Sequence, residues 1–386
     1  MVQAVREGLS RRAAARRFRV SPGQVAFWVK RAAGQRLDGV DFSNRPPGSR
    51  CSPQRTPAAL EQRILRLRQR LRTRSVLGEY GADAIERALH ERGQDRPARA
   101  TINRILKRHG ATDAAHRVRR PPPPPGWYLP EVAAGRAELD SFDLIEDLKI
   151  AGGPLVDVLT GTALHGRQVD AWPAPGIGTT EVLEYLLERW RGLGLPDYAQ
   201  FDNDTRFQGT HRFADTIGRV SRLCFALAVV PVFAPPLEHG FQNGIENFNG
   251  LWQSKVWARW QHRNLAVLQA RSERYVAAHR RRTAARAEQA PRRRPLPARW
   301  RFQPHTSPRG HMVFLRRTDE HGAVHLLGHA WPVSIDWRHR LVRCEVDLSA
   351  GRIYFHALRR RAPDQQPRLR TVAYHCPDRP FPRVRE

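Results

Sequence analysis

Apolar residues recur three and four positions apart through the first hundred residues and at a shorter period later, and that change divides the chain. In "VREGLSRRAAARRFRVSPGQVAFWVKRAAG", Val25, Trp28 and Val29 form one stripe of a helix. Ser21 and Pro22 take its N-cap and first turn, and Ser10 caps a shorter helix carrying Ala13 to Phe18. With "RVS" as the turn between them, residues 1–40 are expected to form a helix-turn-helix. Gln24, Lys30 and Arg31 lie off the buried stripe, where a reader of the DNA major groove needs donors. Residues 41–56, "DFSNRPPGSRCSPQRT", are rich in turn formers and read as a linker. Helical spacing then resumes. Leu60, Ile64 and Leu67 share a face, Ile85 and Leu89 share a second after Gly81, and "ARATINRILKRHG" runs from a Thr101 cap to a Gly110 stop. Residues 57–115 therefore predict a second helix-turn-helix unit, winged or not. The "PPPPP" run within the linker 116–130 is a stiff spacer.

From about residue 131 strands alternate with helices. "RAELDSFDLI" reads as a strand, and "PLVDVLTGTALHGRQVD" as a hairpin turning at Gly161. "GTTEVLEYLLERWRGLG" is a helix with Val182, Leu183, Leu186, Leu187 and Trp190 on one face. "DYAQFDND" is a short strand, residues 211–227 a helix, and "VVPVFAPP" a strand running into a proline loop. The stretch "HGFQNGIENFNGLWQSKVWARW" is the next helix, and residues 262–283 another. This order predicts a mixed-sheet α/β core over residues 131–283. A basic linker, 284–300, leads to "HMVFLRRTDEHGAVHLLG" and "RLVRCEVDLSAGRIYFH", hairpins with turns at Gly322 and Gly351. Residues 301–386 are expected to form a small β-barrel with arginines outside.

Composition sharpens the picture mainly through charge. The 386 residues carry 66 Lys plus Arg against 37 Asp plus Glu. Residues 1–120 hold 28 basic and 10 acidic residues, 121–260 hold 11 and 17, and 261–386 hold 27 and 10. Two basic arms flanking an acidic middle suit a polyanionic partner such as nucleic acid. No apolar run approaches membrane-spanning length and no signal-peptide pattern opens the chain. Cys51, Cys224, Cys344 and Cys376 are scattered without a CxxC pair, which fits a reducing cytoplasm. His325, His329 and Cys344 match no zinc spacing and read as ordinary surface residues.

Three acids stand where a metal site would be built. Asp140 lies mid-strand among apolar residues, where a bare charge is expensive. Asp202 ends a strand in "FDNDTRF", and Glu246 lies in the first turns of a helix that opens on amides and a glycine. Three gathered carboxylates repel unless cations fill the gap, and oxygen-only ligation selects Mg²⁺ or Mn²⁺. Two such ions about 4 Å apart serve phosphodiester chemistry. Asp143 rivals Asp140 as first ligand. Strand residues three apart face opposite sides, so only one of the two can point at the site. Asp140 is preferred because it lies deeper in the strand. Asp204 is a weaker rival to Asp202.

In order and context, Asp140, then "FDNDTRFQG", then "PPLEHGFQNGIENFNGLWQSK" resemble the DDE transposase and retroviral-integrase superfamily, and most nearly its bacterial insertion-sequence transposases. The spacings, 61 residues between Asp140 and Asp202 and 43 between Asp202 and Glu246, are compatible with it. The resemblance covers most of the chain and implies an RNase H-like core for the central α/β segment. It also implies Asp140, Asp202 and Glu246 as catalytic metal ligands, two Mg²⁺ or Mn²⁺ ions, and a cytoplasmic, nucleoid-associated bacterial protein. Duplex DNA, both element ends and target, would be the partner, held by a homodimer or larger assembly. Asn243 stands where DNA must come close, Gln253 lies two turns from Glu246 on about the same face, and Lys255 nearby would meet a phosphate. The implied activity is Mg²⁺-dependent phosphodiester hydrolysis and strand transfer. Its rivals are a non-catalytic DNA-binding regulator with the same core and a nuclease of RNA–DNA hybrids. Tandem helix-turn-helix units favour duplex DNA over a hybrid.

Overall fold

A computed structural model describes residues 1–43, 56–113, 125–210, 213–236, 238 and 240–377. Most of the predicted linker 41–56 and of the polyproline run lies outside the described residues, as do Cys51 and His239. The chain divides into two compact units, Met1–Gln62 and Arg63–Glu386.

In the first unit, capping sets the helix phases. The helices are α1 (Val2–Arg6), α2 (Arg11–Phe18) and α3 (Pro22–Arg31). Ser10 Oγ accepts from the Ala13 N–H and Ser21 Oγ from the Gln24 N–H, each at 3.2 Å. Both are the caps expected from sequence, and each satisfies an N–H that the first helical turn leaves unpaired. Ala14, Ala15 and Val25 are buried between α2 and α3.

The second unit opens with α4 (Ala58–Arg74, whose first turn belongs to the first unit), α5 (Ala82–His90) and α6 (Arg99–Arg108). Ile64, Ile85, Leu89, Ile102, Ile105 and Leu106 are buried, as their spacing requires. After α7 (Pro130–Ala133), the chain lays down β1 (Leu139–Lys149), β2 (Leu155–Ala163), β3 (Val169–Ala174), β4 (Tyr198–Phe201), β5 (Val230–Phe233), β6 (His311–Arg317), β7 (Ala323–Leu326), β8 (His329–Pro332), β9 (Leu341–Asp347), β10 (Arg352–Ala357) and β11 (Arg368–Ala373). Between them come α8 (Thr179–Leu193), α9 (Thr205–Gln208), α10 (Arg219–Ala226), α11 (Asn243–Trp252), α12 (Leu265–Arg282) and α13 (Ala284–Glu288). Nine strands form one open sheet in the order β11-β10-β9-β6-β5-β4-β1-β2-β3. The antiparallel meander β1–β2–β3 and the parallel ladders β1–β4 and β4–β5 give the mixed core expected from sequence.

Four expectations differ from the structure. Residues 301–386 close no barrel. β6 pairs parallel with β5, Phe233 stacks on Phe314 at 5.0 Å, and β9, β10 and β11 continue the same sheet. "MVFLR" is buried at every position, the mark of a strand covered on both faces. A barrel strand would have alternated. β6 also does not hairpin with β7, which pairs with β8 instead. Finally, Gly161 is no turn but mid-strand, opposite Phe142 and Asp170. A Cβ there would sit 3.1 Å from the Phe142 ring, so the glycine makes room for an aromatic side chain. The chain reverses after Ala163, where the buried Glu138 carboxylate accepts the His165 and Gly166 N–H groups at 2.9 and 3.0 Å. The helix expected over 211–227 also starts late, at Arg219. Among the described residues no helix is long and apolar enough to cross a membrane.

One ion-pair network ties this core together. Arg189, fully buried on α8, donates to Asp140 at 2.9 and 3.2 Å, to the Gln168 carbonyl at 2.8 Å and to Asp170. Arg293 reaches Asp140 from beyond α13, and Arg280 of α12 reaches Asp170. The Trp190 indole N–H closes on Asp140 at 3.3 Å. Burial pushes the Asp140 carboxyl upward, but Arg189 and Arg293 outweigh it and hold it well below the ordinary carboxylate range.

Two outcomes are expected. Asp140→Asn should cost about 3–5 kcal/mol in urea unfolding, the usual cost of breaking a buried pair, because it weakens the match to two guanidiniums. Deleting residues 301–386 should abolish cooperative unfolding, since β5 then loses its neighbour on one side; a truncated chain with a sharp native-like transition would refute the shared sheet.

Candidate active site

Packing decides which acids meet. On β1, Asp140 and Phe142 project toward α8, as the Arg189 and Trp190 contacts show. Side chains alternate along a strand, so Ser141 and Asp143 project to the other face. There Asp143 sits opposite Thr160 of β2. Asp202 follows directly on β4.

The third acid comes from α11. Ile245, Phe248, Trp252 and Val256 are buried and fall at i, i+3, i+7 and i+11, one apolar face set against β1, β2 and α12. Trp252 Nε1 donates to Ser272 Oγ at 3.0 Å, and Ser272 in turn to the Ala171 carbonyl at 3.0 Å. So seated, the helix exposes Glu246 and sets Asn249, three residues on, over β1, where its Nδ2 donates to Asp143 Oδ2 at 2.7 Å. Trp252 and Val256 anchor the helix to the core. The loop before α11 is held by Tyr128, whose buried hydroxyl lies 2.9 Å from both Gln200 Oε1 and the Phe241 carbonyl.

Electrostatics separates the two β1 acids. Asp143 is most of the way buried, and its hydrogen bonds come from neutral groups, the Leu144 N–H at 2.9 Å and Asn249. Burial first, then the charges of Asp202 and Glu246, push its carboxyl up to about 6 from 3.8. Asp202 is raised too, by burial and by Asp204, although the Asp204 N–H donates to its Oδ1 at 3.0 Å. Asp143 takes its hydrogen bonds from neutral groups alone, and at Asp202 the pull of Arg206 does not offset burial. An all-oxygen donor set of this kind fits a hard divalent cation. Among the described residues no three Asp, Glu, His or Cys side chains stand close enough to form a finished cation cage.

Asp202 and Glu246 thus lie within electrostatic reach of Asp143, whereas Asp140, the preferred first ligand from sequence, points to the other face of the strand, against Arg189. Depth in the strand was the wrong criterion. The deeper acid is the one the core neutralises with arginine. Asp204 caps α9 and pairs with Arg206, which also holds Glu146 at 2.7 Å. Asn249 went unnoticed, although its place one turn beyond Glu246 marks it. Asn203, beside Asp202, joins the Ala234 carbonyl at 2.7 Å to Arg316 at 2.9 Å.

The expected DNA contacts are mixed. Asn243 and Gln253 are exposed at the two ends of α11. Lys255 is half-buried against Gly78. In the first unit Gln24 and Lys30 are exposed, but Arg31 is engaged, donating to Asp41 at 3.1 Å and the Ser43 carbonyl at 2.9 Å over the face of Trp28.

Residues 1–48 match the helix-turn-helix domain family. No curated protein matches the chain in sequence. Among solved structures, the chain is similar to the simian T-cell lymphotropic virus intasome in complex with PP2A regulatory subunit B56 gamma. The identity is 13%, over 77% of this chain and 96% of that one, with a TM-score of 0.33. The integrase catalytic core domain of HTLV-2 in complex with magnesium is 13% identical over 30% of this chain and 67% of its own, with a TM-score of 0.24. That of BIV is 14% identical over 36% and 81%, with a TM-score of 0.26. Overlaps this loose decide nothing about the site, whose reading rests on the residues above.

The raised Asp143 carboxyl has a measurable sign. In metal-free buffer the folded chain keeps this proton up to about 6, whereas an ordinary carboxyl at 3.8 has already released it. Stability should therefore fall as pH rises through that window, by about 2–3 kcal/mol from this group. Asp143→Asn should remove that fall; denaturant midpoints of parent and variant that keep a constant offset from pH 4 to pH 7 would rule it out.

Proposed function

We propose that this chain is a DNA transposase or integrase whose first unit holds element-end DNA and whose core cuts and joins phosphodiesters. The reading is supported by Asp143 on β1, set under Asn249 of α11 and raised by burial and by the charges of Asp202, just after β4, and Glu246 of α11. The helix-turn-helix match and the basic arms supply the polyanion partner.

Asp143, Asp202 and Glu246 would hold two divalent cations, Mg²⁺ or Mn²⁺, which when bound activate the attacking oxygen and stabilise the leaving one. Asn249 holds Asp143 Oδ2 and the Leu144 N–H holds Oδ1, so the two together fix the orientation of the carboxylate. Both chemical steps are in-line displacements at phosphorus, with water and then the freed 3′-hydroxyl as nucleophile, and no protein nucleophile is required. Joining two ends calls for at least a homodimer on DNA. The alternative is a regulator that binds the same DNA without cutting it.

Nicking of element-end duplex in Mg²⁺ tests both readings. Asp143→Asn, Asp202→Asn and Glu246→Gln should each lower it more than about a hundredfold, past the 10–100-fold typical of removing an outer-layer partner, with end binding unchanged. Asn249→Ala should fall inside that smaller range. A parent protein that binds ends but never nicks, in Mg²⁺ or Mn²⁺, hands the case to the regulator.

A further inference from the structure

Helix α3 carries its bulkiest free side chain on the outside. With about 100° between successive residues, Val25, Trp28, Val29 and Ala32 fall on one arc, and Phe27 falls opposite them. Val25 and Ala32 are buried, whereas Phe27 is 57% exposed at the middle of a face it shares with Gly23, Gln24 and Lys30. Its ring meets the Trp28 ring edge-on at 5.1 Å and otherwise faces water. A phenyl group so placed is more than half exposed and buries little beyond that one edge.

What the face would meet is indicated by its surroundings. Arg11, Arg12, Arg16 and Arg17 of α2 are exposed, as is Lys30, and such charges complement phosphates. A Cβ added at Gly23 would meet nothing nearer than Ser21 Oγ at 3.9 Å, so this position in the first turn leaves open space for close approach. The Ser21 cap fixes where α3 begins and therefore which residues point outward. Arg31 is turned inward onto Asp41, so the donors expected from sequence reduce to Gln24 and Lys30, with Phe27 between them.

Base edges sort these side chains. A glutamine amide pairs with N6 and N7 of adenine, and an aromatic ring, having no donor or acceptor, recognises the C5 methyl of thymine. Gln24 and Phe27 are three residues apart, a rise of about 4.5 Å, between one and two base steps of about 3.4 Å, which lets them reach neighbouring pairs. Resting on the reading above that the first unit binds duplex DNA, we propose that Phe27 reads a thymine methyl and Gln24 the adenine of a neighbouring pair. The recognised end then carries an A·T step in the major groove opposite α3, with Lys30 on the flanking phosphate.

The full-length protein can be presented with a randomised duplex pool and the selected duplex then remade with uracil for thymine, one position at a time. Uracil removes the methyl and leaves pairing and charge intact. At one or two positions in an A·T step the parent should lose about fourfold in affinity, the worth of one buried methyl. Phe27→Ala should lose that sensitivity, Phe27→Leu should keep part of it, and Gln24→Ala should relax the adjacent A·T preference. Circular dichroism of each variant guards against a fold effect. A selected site that tolerates uracil everywhere, or Phe27→Ala with the uracil effect intact, overturns the inference and leaves DNA binding by the first unit standing. A pool with no enriched sequence overturns that reading and this one together, and Mg²⁺-dependent nicking reports separately on the core.

Discussion

The buried guanidinium of Arg189 is the constraint from which the rest of the core follows. A cation removed from water must be matched, and it is matched on two strands at once, by Asp140 of β1 and Asp170 of β3. This settles which face of β1 looks toward α8. Because strand side chains alternate, it also settles that Asp143 looks the other way, toward α11 and Asp202. Two acids three residues apart thus have opposite fates. One is locked by arginines below its ordinary range, and the other is left raised among other acids.

That arrangement explains why so much of the molecule was legible from sequence and this part was not. Caps and stripes are local. Ser10, Ser21 and the apolar face of α8 declare themselves within a few residues, and so does Trp252 beneath the acid of α11. The partners of Asp140, by contrast, lie at Arg189 and Arg293, far along the chain, and no local pattern near Asp140 announces them. The alternation argument correctly said that Asp140 and Asp143 could not both face the site. Choosing between them required knowing where the arginines are.

The same limit applied to the C-terminal strands. Hairpin reasoning pairs neighbours in sequence, and β9 with β10 rewards it. For β6 the better signal was its own unbroken apolar run, which calls for cover on both faces and hence for a place inside a large sheet. Gly161 misled in a similar way. A glycine between two strand patterns suggests a turn, but this one is small because Phe142 occupies its space. Both errors came from reading a residue by its commonest use when its tertiary neighbour decided.

The Asp140–Arg189–Asp170 network responds to warming differently from the apolar clusters around it. Desolvating charges becomes less costly as temperature rises, while apolar burial gains little more. The contacts that hold β1 in phase therefore grow relatively stronger with heat, and the seat of α11, which is mostly apolar, does not. On heating, β1 would keep Asp143 in place after Glu246 of α11 has begun to move, so thermal disorder around these acids would begin at the helix rather than at the strand.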